Sequence, residues 1–407
     1  MCTRRSSVSK DLLKIIHKIA EVKNVKDIQF NSFSDFSDID SFACGLYKVI
    51  IKGKRDGIKI RIKILIKWHT QVADRLCFRE AYRREYMFVT KVLPIFLHIQ
   101  RTYMTNEGLK LKFPNYVLAS IDYNEEVIVV HILQNYKLLN RFYKMDFAHA
   151  SLVIRSLAKL HAFSFIAAKL FPRDFEEIKR LFDNDVQYSD LNNIPNSLEW
   201  YFNASVSIIF DSEIRLKLQH ISNKISLILN RCTAPVNGYS VICHSDCWHN
   251  NTFFKHMGDK PVDLVFVDYQ MARLASPVTD ISYFFFMTSD YEFLKHNYDH
   301  LLYIYYATLS ASLHECKVNA EEVFPRRIFE EHLKKYSILG LIEALISMKI
   351  ITAESDEAHK MTEMKHQSCN GLHQFETQNQ SLFVNRVNGI ANFYFERNYS
   401  IDHFVSE

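Results

Sequence analysis

The feature that most constrains this chain is an apolar run, a short polar loop and a second apolar run around residue 250. Residues 241–254 read VICHSDCWHNNTFF, so an apolar lead-in meets His244 and Asp246, and Asn251 follows five residues after that aspartate. The next hydrophobic run, Leu264, Val265, Phe266 and Val267, ends in Asp268. Phosphoryl transfer asks a protein mainly for positioning and charge neutralisation, and this spacing supplies the parts. A carboxylate must orient the acceptor hydroxyl and take its proton, a role that falls to Asp246. Hard oxygen ligands must hold the metal ions that bridge the phosphates, and Asp268 and the side-chain carbonyl of Asn251 qualify. His244 is expected to steady the loop by hydrogen bonding. Asp280 precedes an apolar helical run at 281–287 and is placed either to cap that helix or to brace the loop.

Cys243, His244, Cys247 and His249 crowd the same stretch and invite a zinc reading. Structural zinc sites usually pair two separated ligand couples, and Cys243 with Cys247 has no second couple downstream. A Cys–His nucleophile fares no better, because no third orienting group is evident.

Upstream, the pattern supplies what such a site needs beside it. Residues 10–22 space Leu12, Leu13, Ile15, Ile16 and Ile19 helically, with Lys10, Lys14 and Lys18 on a solvated face. Residues 47–51 are β-branched, 52–57 look like a turn, and Ile58, Ile60, Ile62 and Ile64 alternate with Lys59, Arg61 and Lys63. Period-two alternation marks a half-buried strand, here the second arm of a hairpin ending at Lys67. Residues 75–91 read as a helix carrying Glu85. A strand ending in lysine followed by a helix with a glutamate is how a kinase holds the lysine that steadies the ATP phosphates. Lys67 with Glu85 is that pair; Lys63, on the same strand face, competes with Lys67. The loop at 37–45 sits where a nucleotide-covering loop belongs and offers one glycine, Gly45, for close backbone approach to phosphate. Strands are expected at 115–123 and 126–133, the second supplying a hinge for adenine.

Helices dominate the rest: 148–168 as a central helix, with His161 as a core histidine or a ligand, and 213–230 as an amphipathic one. Residues 183–203, rich in Asn and Pro, read as a surface insertion. The aromatics of 291–346, among them Tyr298, Tyr303, Tyr305 and Tyr306, either belong to the core or wall an acceptor pocket.

The bulk numbers agree with a globular protein of two lobes. The chain has 407 residues, 48% of them hydrophobic. Its 50 Lys and Arg against 46 Asp and Glu leave a formal charge of +4, which gives no basis for a nucleic-acid partner. Eight cysteines follow no regular framework, and no N-terminal apolar segment precedes them. Reduced thiols and a cytoplasmic location are expected, with no membrane partner.

Several longer motifs resemble those of the CHK kinase-like, or ecdysteroid kinase-like, family, relatives of choline and aminoglycoside kinases. CHSDCWHNN (243–251) is similar to the pattern C-H-G-D-x-W-x-N-N, and VDYQMARLASPVTDISYFF (267–285) to V-D-F-Q-x-x-R-x-x-S-P-x-x-D-L-x-Y-F. YRREYMFVTKVLP (82–94) and LAKLHAFS (157–164) match the family's F-x-R-E-x-x-F-Y-x-x-V-L-P and L-A-K-L-H-A-x-S. The resemblance implies an α+β, two-lobed protein-kinase-like fold: a small β-rich N-terminal lobe over 1–133 and a larger, mainly helical C-terminal lobe over 134–407. It implies an ATP- and Mg2+-dependent small-molecule kinase that transfers the γ-phosphate to a hydroxyl of an apolar alcohol such as an ecdysteroid or a xenobiotic, working as a monomer. Carried over by position, Asp246 is the base, Asn251 and Asp268 the metal ligands, and Lys67 with Glu85 the ATP pair. His131 and Leu133 stand in the hinge where the family has E-D-L, and Ser245 replaces the glycine of H-G-D. The rival reading is a catalytically weak pseudokinase that binds a small ligand.

Overall fold

The structure is a computed structural model that describes residues 10–33, 45–69, 78–123, 125–182, 195–364 and 377–405. The chain divides into two compact units, one of Met1–Val89 with Pro114–Gln134, the other of Thr90–Phe113 with Asn135–Glu407. The first is rich in sheet and the second mainly helical, which is the expected α+β composition.

In chain order the elements begin with α1 (Lys10–Val22), β1 (Lys26–Phe33), β2 (Leu46–Arg55), β3 (Ile58–Lys67) and α2 (Arg79–Met87). A π-helical turn, Phe88–Val92, leads into α3 (Leu93–Tyr103), and β4 (Tyr116–Ser120) and β5 (Val127–His131) follow. All pairings of the five-stranded sheet are antiparallel, in the order β1-β2-β3-β5-β4. The β2–β3 turn is tighter than the sequence suggests. Only Asp56 and Gly57 form it, both at positive φ (50° and 79°), the pair of left-handed residues that lets two strands keep their twist through a two-residue loop. Lys52, Gly53, Lys54 and Arg55 therefore belong to the strand, paired across to Arg61, Ile60, Lys59 and Ile58. Along β3 the alternating isoleucines become progressively buried: Ile58 at the hairpin tip is exposed, while Ile62, Ile64 and Ile66 enter a core with Val49, Ile51 and Val129. The apolar face of α1, with Leu12, Ile16 and Ile19, closes that core.

The second unit continues with β6 (Tyr136–Leu138), α4 (Phe147–Leu170), α5 (Pro172–Phe182), α6 (Pro195–Ser207), α7 (Ser212–Ile221) and α8 (Ile225–Cys232). Then come β7 (Val241–Cys243), β8 (Thr252–Met257), β9 (Lys260–Phe266), β10 (Arg273–Ala275), α9 (Pro277–Thr288) and α10 (Tyr291–Glu315). The chain closes with α11 (Arg326–Tyr336), α12 (Ile338–Ile351), α13 (Ser355–Met364) and α14 (Gln380–Glu396). Two small antiparallel sheets, β7 with β10 and β6-β8-β9, frame the loop that carries Asp246.

α4 starts at Asp146, whose side chain accepts the His149 N–H, and packs against α10, α3, β7 and β9. By length and composition it could cross a membrane, yet 78% of its most apolar window is buried inside the protein, as a central core helix requires. Every residue of α9 is buried. Ser276 caps it and Pro277 occupies its first turn, where the missing N–H costs nothing. α12 crosses α9 at Gly340, where a Cβ would stand 2.4 Å from the Ser282 carbonyl; only glycine permits the approach.

The surface insertion expected at 183–203 needs correcting. Residues 183–194 lie outside the described ones, but α6 buries Leu198, Trp200, Tyr201 and Phe202, so its aromatics belong to the core. Tyr298 and Tyr305 are likewise core residues, Tyr298 bonding to the Tyr399 hydroxyl at 3.0 Å, while Tyr303 is exposed. Cys232, Cys243, Cys247 and Cys316 are buried free thiols.

Candidate active site

The loop after β7 is pinned from beneath by one carboxylate. Asp280, in the first turn of α9 and inaccessible to solvent, accepts the backbone N–H groups of His244 and Ser245 on its two oxygens, each at 2.7 Å. It thus braces the loop; the cap of α9 is Ser276. His161 of α4 donates Nε2–H to Asp280 at 3.0 Å, and the Tyr305 hydroxyl meets His161 Nδ1 at 2.8 Å. A histidine that donates to a carboxylate from Nε2 takes a hydroxyl proton on Nδ1, so the chain of bonds runs Tyr305 to His161 to Asp280 to the loop. Burial by itself would raise the Asp280 carboxyl, but the hydrogen bonds from His161 and the loop hold it below the usual carboxylate range. His161 is accordingly a core residue with a job: it orients the brace.

His244 acts within the loop. Its Nε2 donates to the Val267 carbonyl at 3.0 Å, and its Nδ1 accepts the Asp246 N–H at 3.2 Å. One nitrogen donates and the other accepts, which defines a neutral ring, and burial lowers its pKa in the same sense. His244 therefore ties the start of the loop to the end of the second apolar run.

Asp246 is held at both oxygens. The Tyr283 hydroxyl donates to Oδ1 at 2.6 Å, and Asn251 Nδ2 donates to Oδ2 at 2.7 Å and to the Asp246 backbone carbonyl at 3.0 Å. Burial pushes the Asp246 carboxyl up to about 7, against the pull of those hydrogen bonds; the negative charges of Asp268 and Glu343 push the same way as burial. With its amide nitrogen committed to Asp246, Asn251 presents its side-chain carbonyl elsewhere, and that oxygen accepts nothing among the described residues. The Asn251 backbone carbonyl takes the Val267 N–H at 3.0 Å, which brings the adjacent Asp268 beside it. Asp268 itself adopts a left-handed backbone, φ 66°, at the end of the run. Two hard oxygen donors, an amide carbonyl and a carboxylate, are thus gathered next to Asp246, a set that suits a magnesium-sized cation. Ser245 also has positive φ, 64°, and its buried hydroxyl has no hydrogen-bond partner among the described residues.

In the first unit Lys67 is the lysine that meets Glu85. Lys67 Nζ lies 3.1 Å from Glu85 Oε2 with both side chains buried, and the Tyr116 hydroxyl donates to the other Glu85 oxygen at 3.3 Å. Lys63 is exposed. Gly45 immediately precedes β2, and its carbonyl accepts the Trp68 N–H at 2.9 Å; a Cβ there would come within 2.5 Å of the Trp68 carbonyl. The rest of the expected nucleotide-covering loop, 37–44, lies outside the described residues. In the stretch expected to supply a hinge, the His131 N–H is committed to Asn115 and the Ile132 N–H to Lys63, at 2.9 and 3.0 Å. His131 thus has no backbone donor left to offer, whereas the Leu133 N–H makes no hydrogen bond among the described residues.

The crowded cysteines and histidines go separate ways. Cys243 Sγ contacts the Ser276 carbonyl at 3.5 Å, Cys247 Sγ the Asp280 carbonyl at 3.6 Å, and the His249 ring the Tyr143 backbone. Among the described residues one metal-like cluster stands out: His161, Cys243 and Asp280, with ligand atoms within 4.8 Å of one another. Its His161 and Asp280 are already bonded to each other and to the loop, as an interior brace.

Two functional neighbours of Asp246 escaped the sequence reading. Tyr283 lies three residues after Asp280, hence on the same helical face, and that spacing was the available signal. Glu343 is a lone carboxylate in the apolar α12, ILGLIEALISMKII, and a buried acid in such a helix is itself a signal.

Residues 38–318 match the model of the ecdysteroid kinase-like family, and the chain belongs to that family. The family is one of small-molecule kinases. No curated protein sequence matches significantly. Among solved structures, an ethanolamine kinase of Plasmodium vivax superposes with a TM-score of 0.44 at 13% identity, covering 98% of this chain and 94% of that one. The GDP complex of aminoglycoside 2'-phosphotransferase-IIIa gives 0.38 at 11%, covering 93% and 98%. A glucosamine kinase in complex with glucosamine, ADP and inorganic phosphate gives 0.31 at 12%, covering 95% and 83%.

Proposed function

We propose that this protein is an ATP-dependent kinase that phosphorylates a hydroxyl of a small apolar alcohol, an ecdysteroid or a xenobiotic. The observation that carries the reading is Asp246, a half-buried loop acid held at both oxygens, with Asn251 and Asp268 gathered beside it. Asp246 orients the acceptor hydroxyl and takes its proton as the phosphoryl group arrives. Each carboxylate oxygen has two acceptor sites, so the bonds from Tyr283 and Asn251 leave room for the incoming hydroxyl. Asn251 and Asp268 are the residues that would hold Mg2+, which when bound neutralises charge on the transferring phosphates. Lys67, pre-aligned by Glu85, steadies the ATP phosphates, and the Leu133 backbone meets the adenine edge.

The family points to the acceptor class, and the surroundings of Asp246 refine it. Glu343 puts a second carboxylate within electrostatic reach of Asp246. An acceptor bearing more than one hydroxyl on an apolar frame would satisfy both. The test is phosphate transfer from Mg-ATP to a panel of ecdysteroids, other sterols and phenols by purified protein, with Asp246→Asn as control. Transfer to a polyhydroxylated sterol that the control loses supports the reading. Binding of those alcohols without transfer would instead make the protein a ligand-binding pseudokinase.

A further inference from the structure

A cavity of about 320 Å³ opens in the second unit, and none of its lining residues is Asp246, Asn251, Asp268, Tyr283 or Glu343, although Tyr143 and Arg386 on its wall interact with His249 of the loop. Two guanidiniums reach it from different segments, Arg141 from the stretch after β6 and Arg386 from α14. Arg141 is buried, donates to the Ala353 carbonyl at 2.7 Å and lies over the Phe142 ring. Arg386 makes a single hydrogen bond among the described residues, to the Met287 carbonyl at 3.0 Å. A guanidinium carries five N–H donors, and this half-buried one keeps its Nε–H buried without a partner among the described residues, so donors remain for a ligand. Burial lowers its pKa only to about 10, which leaves it cationic at neutral pH.

The opposing charges have been assigned elsewhere. Asp290 also lines the cavity and attracts Arg386, but one oxygen caps α10 at the Phe293 N–H, 2.9 Å away, and the other lies 3.8 Å from Lys144. Glu292 is well exposed and turned toward His296. Counting Arg141, Lys144 and Arg386 against Asp290 and Glu292 gives three positive charges and two negative, a surplus of one. Beside Thr288, Thr352 and Asn385, the remaining wall is apolar or aromatic, with Met145, Tyr291, Ile351 and Leu382. A planar fork of donors matches a carboxylate in two-point contact, and a single surplus charge matches a monoanion. The volume is in the range of small-molecule sites.

We propose that this cavity is a second binding site, for a small apolar carboxylate whose acid group meets Arg386 and Arg141 and whose hydrocarbon lies against Met145, Ile351 and Leu382. The site stands independently of the kinase reading, because it shares no residue with it.

Titration calorimetry on the full chain tests this with octanoate, octanol and octylamine, matched in apolar body and different in head group. Octanoate should bind one per chain and at least tenfold more tightly than either neighbour. Arg386→Gln should weaken octanoate at least tenfold and leave octanol unchanged. Leu382→Trp, which fills the cavity from a half-buried position and keeps both arginines, should abolish octanoate binding; it serves also if Arg386→Gln fails to fold. Equal binding of the three probes, no binding of octanoate, or octanoate binding that survives Leu382→Trp would overturn the proposal.

Discussion

The Tyr283 hydroxyl donates to Oδ1 of Asp246 at 2.6 Å, joining α9 to a loop acid 37 positions earlier in the chain. The same helix supplies Asp280, which fixes the backbone of that loop. One helix therefore sets both where the acid stands and how its carboxylate is turned. Removing only the hydroxyl separates the two effects. Tyr283→Phe should keep the fold and lower kcat roughly tenfold, the worth of one hydrogen bond to a charged group, about 1.5 kcal/mol. KM for ATP should stay unchanged. Steady-state kinetics with varied ATP checks the split.

Ser245 occupies a left-handed backbone position with a side chain, and its buried hydroxyl has no partner among the described residues. Both conditions are unfavourable, and glycine removes both. Ser245→Gly should raise the unfolding free energy by about 1–2 kcal/mol. Urea denaturation measures it, with an unchanged slope expected.

Gly340 allows α12 to touch the backbone of α9 at Ser282. A methyl group there has to displace main chain, not a flexible side chain, so Gly340→Ala should destabilise by about 3 kcal/mol or more. Because α9 carries Tyr283 and Asp280, turnover should fall further than the loss of folded protein explains. Thermal melts and active-site kinetics on the same preparation would detect both.

Acid should destabilise the protein through His332. Its ring is buried between Tyr239, Phe324 and Tyr336, and burial, with nearby Lys335 adding to it, lowers its pKa from 6.5 to about 4. Between those values the unfolded chain binds a proton that the folded chain refuses. Stability is therefore fully present above pH 6.5 and declines as pH falls toward 4, by up to about 3 kcal/mol from this residue. In denaturation curves at pH 7 and pH 4.5, His332→Gln should lose less stability on acidification than the parent protein; an equal loss would dissociate His332 from the effect.

The parts legible in the sequence were those that sit close together in it. Asp246, Asn251 and Asp268 belong to one loop and the end of the next apolar run, so their spacing alone brings them together. Lys63 and Lys67 share a strand face, and periodicity cannot choose between them. The choice comes from long-range packing: Lys67, paired with Leu46 and Ile128 on either side, sits in the sheet interior beside Glu85. Tyr283 and Glu343 reach Asp246 from helices whose crossing depends on Gly340, a relation that no local pattern carries. Asn192, Asn193, Pro195 and Asn196 look like a loop, yet Pro195 opens α6, because proline suits a helix's first turn as well as it suits a turn. The helical stretch expected over 75–91 runs through a π turn into α3 past Pro94 for the same reason: proline sits at the start of α3.

The central claim is that Asp246 drives phosphate transfer to an alcohol. The most direct measurement is the rate of sterol phosphate formation from Mg-ATP by the parent protein and by Asp246→Asn, with ATP binding followed in parallel. Asparagine keeps the size of the side chain and its contacts with Tyr283 and Asn251 in reach, but it cannot take the acceptor's proton. Turnover should fall at least a hundredfold, in the range of general-base removal, while ATP binds equally well. Equal turnover in the two proteins would contradict the assignment of Asp246.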